Sequence, residues 1–343
     1  MAHMLMPREA SDSTNAPEPI WTTPHSVKLE LSTASLRDFS TAAQSVPTMI
    51  CAPYALHRAT IADFAPQHSL VAALLDAGVT NLFVTDWRSA TPEMQYFSID
   101  TYLAELNVMV DSLGGSANLV GLCQGGWLSL MFAARFPAKI RKLVLAGAPI
   151  DTAAGSSLVS LAAEATPTST VRDLLALGDG RALGQYVSGL LYPPSPSPDD
   201  LARLLQTTAT NLDNSAVQER FLVWLRTLLN LPGTYYLEVV EKLYKLNQLA
   251  TGHFTALGQR IDLSSVRSPL FMLAARDDEL VAAEQTLAAE HLVGTSPSDC
   301  VKLIAPCRHV SLFMGKQLLS DTWPAIAEWL NQANAIRHPR EAA

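Results

Sequence analysis

NLVGLCQGGWLSLMFAARFP, residues Asn118–Pro137, changes its periodicity in the middle. Asn118 to Leu122 is a short apolar run with the length of a buried strand. It passes through Gly121-Leu122-Cys123-Gln124-Gly125-Gly126 into a helical pattern of Trp127, Leu128, Leu130, Met131 and Ala134, closed at Phe136-Pro137. Strand, G-x-C-x-G, helix is the pattern of a nucleophile elbow, with cysteine where serine is commoner. A nucleophile on so sharp a turn sits in a strained conformation, so the residues two away on each side must be small; Gly121 and Gly125 meet that need. The turn aims the N–H of Gln124 and the helix N-terminus at the space above the sulfur, where they can lower the thiol pKa and stabilise an oxyanion. The competing reading is a buried core thiol beside a glycine-rich turn. No G-x-S-x-G occurs elsewhere, and Gly155-Ser156-Ser157 lies in a polar loop with no strand before it.

Outward from the elbow, strands and helices alternate. His25 to Leu31 reads as an edge strand with Val27, Leu29 and Leu31 on one face. Thr48–Ala52 and Thr80–Val84 read as buried strands, Ser69–Ala77 and Asp100–Leu113 as helices, and Lys142–Ala146 as the strand after the elbow helix. Near-continuously apolar strands between helices predict a mostly parallel central sheet with helices on both faces. From Asp151 to Asp262 the signal is helical (Val171–Leu177, Leu201–Thr207, Ala216–Leu229, Tyr235–Leu249), with prolines at 193, 194, 196 and 198 and no convincing strand. The expected organisation is a disordered segment over 1–24, a core over 25–150 and 263–335, and a helical cap inserted over 151–262. The cap closes the site from above; a helical side domain without a gating role is the other reading.

The cap is followed by Pro269–Ala274, a buried strand that delivers Arg276-Asp277-Asp278-Glu279 at its C-terminal end, where α/β sheets place their chemistry. Cys300–Ile304 is the last strand and leads to Cys307-Arg308-His309; Thr322–Gln332 is an amphipathic terminal helix. Nucleophile, acid and histidine thus follow the chain order of an α/β-hydrolase triad. His309 takes the thiol proton and returns it to a leaving group, while a carboxylate holds its tautomer. Two adjacent aspartates leave the acid ambiguous from position alone. A backbone N–H around Tyr54-Ala55 is the expected second oxyanion donor. His57, His68, His253 and His291 read as structural or solvated, with a substrate contact as the alternative for His57. Cys300 and Cys307 read as packing thiols.

The 343-residue chain is 48% hydrophobic and 16% charged, so it is globular and well cored. A net charge of −8 argues against a nucleic-acid partner. Cysteines at 51, 123, 300 and 307 form neither a disulfide framework nor metal spacing. Arg8 to Thr23 is polar and proline-containing, so no signal peptide is expected, and no apolar run reaches the roughly 18 residues of a membrane span. A cytoplasmic protein without metal is the expectation.

Over residues 24–332 the sequence resembles the polyhydroxyalkanoate synthase group of α/β-hydrolases and its relatives, the intracellular polyhydroxyalkanoate depolymerases. The resemblance is carried by Thr23-Pro24 and Val27, by Cys51–Tyr54 through Ala65–Val71, by Val84–Trp87, by the box Gly121–Gly126, by Ala275–Val281 and by His309–Met314. It places the family's nucleophile on Cys123, its aspartate on Asp278 rather than Asp277, and its histidine on His309. The implied chemistry is a growing 3-hydroxyacyl chain carried on the cysteine as a thioester, with a coenzyme A thioester as substrate and no cofactor. The sequence departs from the family at Arg308, where glycine is usual, and at Trp127, where a small residue is common and a tryptophan narrows the acyl tunnel. The cap matches poorly. Acyl transfer is the leading expectation, because thioesters exchange readily with alcohols. Hydrolysis by a depolymerase or (thio)esterase is the alternative, and granule binding without catalysis is a third reading. Dienelactone hydrolases share a cysteine elbow but are shorter and lack the lid. The implied partners are a 3-hydroxyacyl-coenzyme A and a polyhydroxyalkanoate chain or granule; a homodimer stays open.

Overall fold

The computed structural model describes residues 19–43, 45–191 and 215–332. The helical reading of Leu201–Thr207 and the prolines from 193 to 198 lie outside the described residues, as do residues 1–18.

Eight strands form the central sheet: β1 (Ser26–Glu30), β2 (Ala34–Asp38), β3 (Thr48–Cys51), β4 (Leu82–Trp87), β5 (Ala117–Leu122), β6 (Ile140–Ala146), β7 (Leu270–Ala275) and β8 (Cys300–Ala305). They lie in the order β1-β2-β4-β3-β5-β6-β7-β8. The first two pair antiparallel, β2 meets β4 antiparallel, and every later pairing is parallel. Every residue of β3, β5 and β7 is buried, as continuous apolar runs with both faces covered demand. Helices α1 (Leu70–Asp76), α2 (Ile99–Ser112) and α3 (Gln124–Arg135) connect the early strands. Ser69 caps α1 by accepting from Ala72 N.

Two findings correct the sequence reading of the first forty residues. Strand β2 carries Ala34 and Leu36 fully buried, but Arg37-Asp38 breaks the apolar run that would have announced it. The ordered chain also begins before residue 25. The buried Asp63 carboxylate accepts from Thr22 N and Thr23 N, each at 2.7 Å, and from Thr23 Oγ1 and Ser69 Oγ at 2.8 and 2.6 Å. Those charge-assisted bonds, with Trp21 packed on His25 and Phe39, hold Trp21–Pro24 in place. The partner lies about forty residues away, so no local pattern reveals it.

Between β6 and β7 the described chain is helical: α4 (Leu158–Ala165), α5 (Thr168–Leu177), α6 (Gly184–Leu191), α7 (Ser215–Arg226) and α8 (Gly233–Glu238), the last running into a π-helix over Val239–Lys245. Two-residue strands at Arg181–Ala182 and Leu231–Pro232 pair within it. The terminal helix α9 spans Trp323–Asn331 and buries Trp323, Ile326, Ala327 and Leu330. None of the described helices is long and apolar enough to cross a membrane.

Candidate active site

Cys123 sits between β5 and α3 with φ 49° and ψ −120°, a left-handed conformation that costs a non-glycine residue energy. Three contacts hold it there. Its N–H donates to Ala146 O at 2.8 Å, its carbonyl accepts from Gly126 N at 2.9 Å, and the backbone closes on itself around the glycines. A Cβ on Gly121 would lie 2.5 Å from Gly126 Cα, and one on Gly125 would lie 2.0 Å from Cys51 O. Gln124 opens α3, so its N–H has no intrahelical acceptor, and the residue lines the cavity beside Cys123.

The loop after β3 meets the elbow from the neighbouring strand. Ala52 N donates to Thr85 Oγ1 at 3.0 Å and Trp87 Nε1 to Ala52 O at 2.8 Å, which fixes the chain entering Pro53-Tyr54-Ala55. Ala55 lines the cavity with Cys123 and Gln124. Tyr54 does not: its ring is buried, and its hydroxyl donates to Arg88 O at 3.0 Å. Trp127 is likewise outside the cavity wall, 1% exposed in the core behind Tyr235, with ring centroids 6.3 Å apart. The expected narrowing by Trp127 is therefore corrected: the residue four past the nucleophile is buried in the core beside Tyr235, and Tyr235 is what the cavity meets.

Asp278 and His309 come together from the loops after β7 and β8. His309 Nδ1 donates to Asp278 Oδ2 at 2.7 Å, and the other carboxylate oxygen accepts from Leu280 N and Val281 N, each at 2.9 Å. Asp277 points away; its side chain is 57% exposed beside Arg276. Burial opposes an imidazolium at His309. The Asp278 charge, the charge of the Cys123 sulfur and side-chain hydrogen bonds to both outweigh it, and hold His309 well above its ordinary range. Arg308 approaches Glu279, with Nη1 3.5 Å from Oε1, and its backbone is not among the positive-φ positions, so this loop does not require glycine there.

The raised His309 makes a pH prediction. Its folded value lies above its unfolded value, so its stabilisation is complete below about pH 6.5 and is lost as pH climbs through the raised value. The stability of the wild type minus that of His309→Gln is expected to shrink in denaturant titrations as pH rises from about 6.5 through the raised value. A difference that stays flat contradicts the coupling.

The cavity around these groups holds about 380 Å³ and is walled mainly by apolar side chains, among them Leu158, Val159, Phe221, Trp224 and Val240. His57 also lines it. Its ring lies tilted against Trp224, with centroids 4.4 Å apart, neither ring nitrogen has a hydrogen-bond partner, and burial pushes it down to about 4. It is therefore a neutral ring in the wall. His68 is structural, bonded through Nδ1 to Met314 O at 2.8 Å. Burial pushes Cys51 and Cys307 up to about 12, and Cys300 is raised as well. Among the described residues no group of three or more His, Cys, Asp or Glu is placed to hold a metal ion.

Tyr235, Tyr236 and Tyr244 also line the cavity, a role that their helical periodicity did not disclose. Tyr235 donates to Tyr54 O at 3.1 Å and so ties the segment after β6 to the loop after β3. The only advance signal was three tyrosines within ten residues of a helix with an otherwise aliphatic face.

A family model described as the α/β hydrolase fold matches residues 62–316. Among curated proteins, the poly(3-hydroxyalkanoate) polymerase subunit PhaC of Haloferax mediterranei is 26% identical over 299 residues, 83% of this chain and 58% of its own length. The subunit of the same name from Synechocystis sp. is 26% identical, with 84% and 78% covered. That of Allochromatium vinosum is 27% identical, with 84% and 82% covered. The chain thus spans only a little over half of the first of these relatives. Among solved structures, Paleococcus ferrophilus monoacylglycerol lipase is similar with a TM-score of 0.53 and 16% identity, covering 87% of this chain and 98% of that one. The enol-lactonase of Burkholderia xenovorans LB400 gives 0.53 and 16%, covering 90% and 100%. At that identity the two structures speak for the fold alone, which agrees with the strand order.

Proposed function

Because this chain belongs to the α/β-hydrolase family, we propose that it is an acyltransferase of the polyhydroxyalkanoate synthase type, working through a thioester on Cys123. The observation that carries the reading is the meeting of a cysteine elbow with a buried His309–Asp278 pair at the wall of an apolar cavity. The likeness to polymerase subunits supports the substrate class, 3-hydroxyacyl-coenzyme A and poly(3-hydroxyalkanoate).

The residues divide the work as follows. His309 takes the Cys123 proton, and the thiolate attacks the thioester carbonyl. The oxyanion faces Gln124 N–H and the backbone of Ala55. Coenzyme A leaves with the proton from His309, so that one thioester replaces another. A hydroxyl of a second chain then loses its proton to His309 and attacks the acyl-cysteine. An ester forms, and the proton returns to Cys123. Asp278 holds the imidazole tautomer throughout and stabilises its charged form. Coenzyme A enters as substrate, and no cofactor is called for.

Water in place of the hydroxyl gives a depolymerase or (thio)esterase. The apolar wall favours transfer, because it keeps bulk water from the thioester. A volume of about 380 Å³ is at the small end for ligand sites, which favours short acyl units. Incubation with 3-hydroxybutyryl-coenzyme A tests this, following free coenzyme A and product mass together. Release of coenzyme A with chain growth is the expected result. Release with only free acid makes the protein a hydrolase, and no release at all defeats both readings.

A further inference from the structure

Helix α8 does not continue as an α-helix. From Val239 to Lys245 it widens into π-helical turns, a local irregularity that recurs at functional sites because the extra residue re-aims side chains. The backbone of the widened turn is held by Thr152, whose Oγ1 donates to Leu243 O at 2.8 Å and approaches Tyr244 O at 3.3 Å. The widened turn carries Tyr244. Its ring lines the cavity together with Cys123, Gln124 and His309. Tyr54 and Tyr235 spend their hydroxyls on backbone carbonyls, whereas Tyr244 stands at the cavity wall near enough to Cys123 and Tyr236 for both to act on its phenol.

We propose that Tyr244 is a specificity-determining residue that binds the 3-hydroxyl of the acyl group carried on Cys123. This rests on the reading of Cys123 as the acyl carrier. The acyl carbonyl is already served by Gln124 and Ala55, which come from the turns after β5 and β3. Tyr244 enters from the segment between β6 and β7, so its phenol is left for the next polar atom of the acyl group. In a 3-hydroxyacyl chain that atom is the hydroxyl two carbons away. Burial, the nearby Cys123 charge and Tyr236 keep the phenol protonated far above neutral pH, so it is available as a donor. A 3-hydroxyl carried into this apolar cavity is penalised unless it meets a partner. The Tyr244 phenol supplies that partner.

The test uses p-nitrophenyl 3-hydroxybutyrate and p-nitrophenyl butyrate, with the acylation burst of nitrophenolate followed for the wild type and for Tyr244→Phe. The wild type is expected to prefer the hydroxylated ester, and Tyr244→Phe to cut that preference by roughly tenfold, all of it lost on the hydroxylated ester. A merely structural tyrosine lowers both rates alike, and that result, or an unchanged ratio, overturns the assignment while leaving Cys123 as the nucleophile. No burst from either ester in the wild type overturns the reading of Cys123 and this proposal with it.

Discussion

Cys123→Ala is expected to abolish release of coenzyme A from 3-hydroxybutyryl-coenzyme A, a loss of about 10⁴-fold or more, in a protein that still folds. The first half follows from the mechanism: without the sulfur no acyl-enzyme forms, and His309 and Asp278 are left with no proton to move. The second follows from position. The alanine Cβ adopts the same left-handed backbone as the cysteine, the sulfur is only half-buried, and the elbow is held by main-chain bonds to Ala146 and Gly126 that alanine keeps. Its thermal midpoint should stay within a few degrees of the wild type. A thiol-reactive probe adds an independent readout. Cys51, Cys307 and Cys300 are held as thiols by their surroundings, so fast labelling at neutral pH should belong to Cys123 and be lost in His309→Gln. Residual turnover in a folded Cys123→Ala protein, or fast labelling that survives the loss of His309, removes the cysteine from the chemistry.

What could be read without a structure was whatever is local or periodic. The elbow is a contiguous string whose glycines, strand and helix all lie within twenty residues, and the strands of the parallel sheet announce themselves as apolar runs. The aspartate and the histidine were legible because each directly follows such a run. Position alone left Asp277 and Asp278 open, and the resemblance chose Asp278; in the structure side chains of these consecutive residues leave the loop in different directions, Asp277 exposed beside Arg276 and Asp278 bonded to His309. Trp127 misled because helical position was known but rotation about the helix axis relative to the cavity was not. Trp21–Pro24 escaped because its anchor, Asp63, is distant in sequence. Tyr244 escaped for a different reason. An α-helical wheel places it by a period that the π-helical turns do not keep.

Gly125→Ala should cost about 3 kcal/mol and lower the thermal midpoint by roughly 5–10 °C, with loss of activity beyond what the remaining folded fraction explains. The added Cβ would lie 2.0 Å from Cys51 O, 2.8 Å from Cys51 C and 2.9 Å from Ala52 O. All three are backbone atoms, so no side-chain rotation relieves the clash. Nor is that backbone free to retreat. Cys51 pairs with Gly121 in the sheet, Ala52 N is bonded to Thr85, and Ala52 O is bonded to Trp87. The strand end and the helix start must therefore separate, and these two elements carry Ala55 and Gln124 on either side of the sulfur. Steric strain and catalytic damage thus arise from one displacement. Gly189→Ala is the matched control: it lies in α6 on the exposed side with nothing within 4 Å of its Cβ, so it should gain about 0.5–1 kcal/mol from helix propensity. Thermal melts of the two variants beside the wild type measure the contrast. Equal midpoints for both would mean that the elbow is not packed as tightly as its glycines imply.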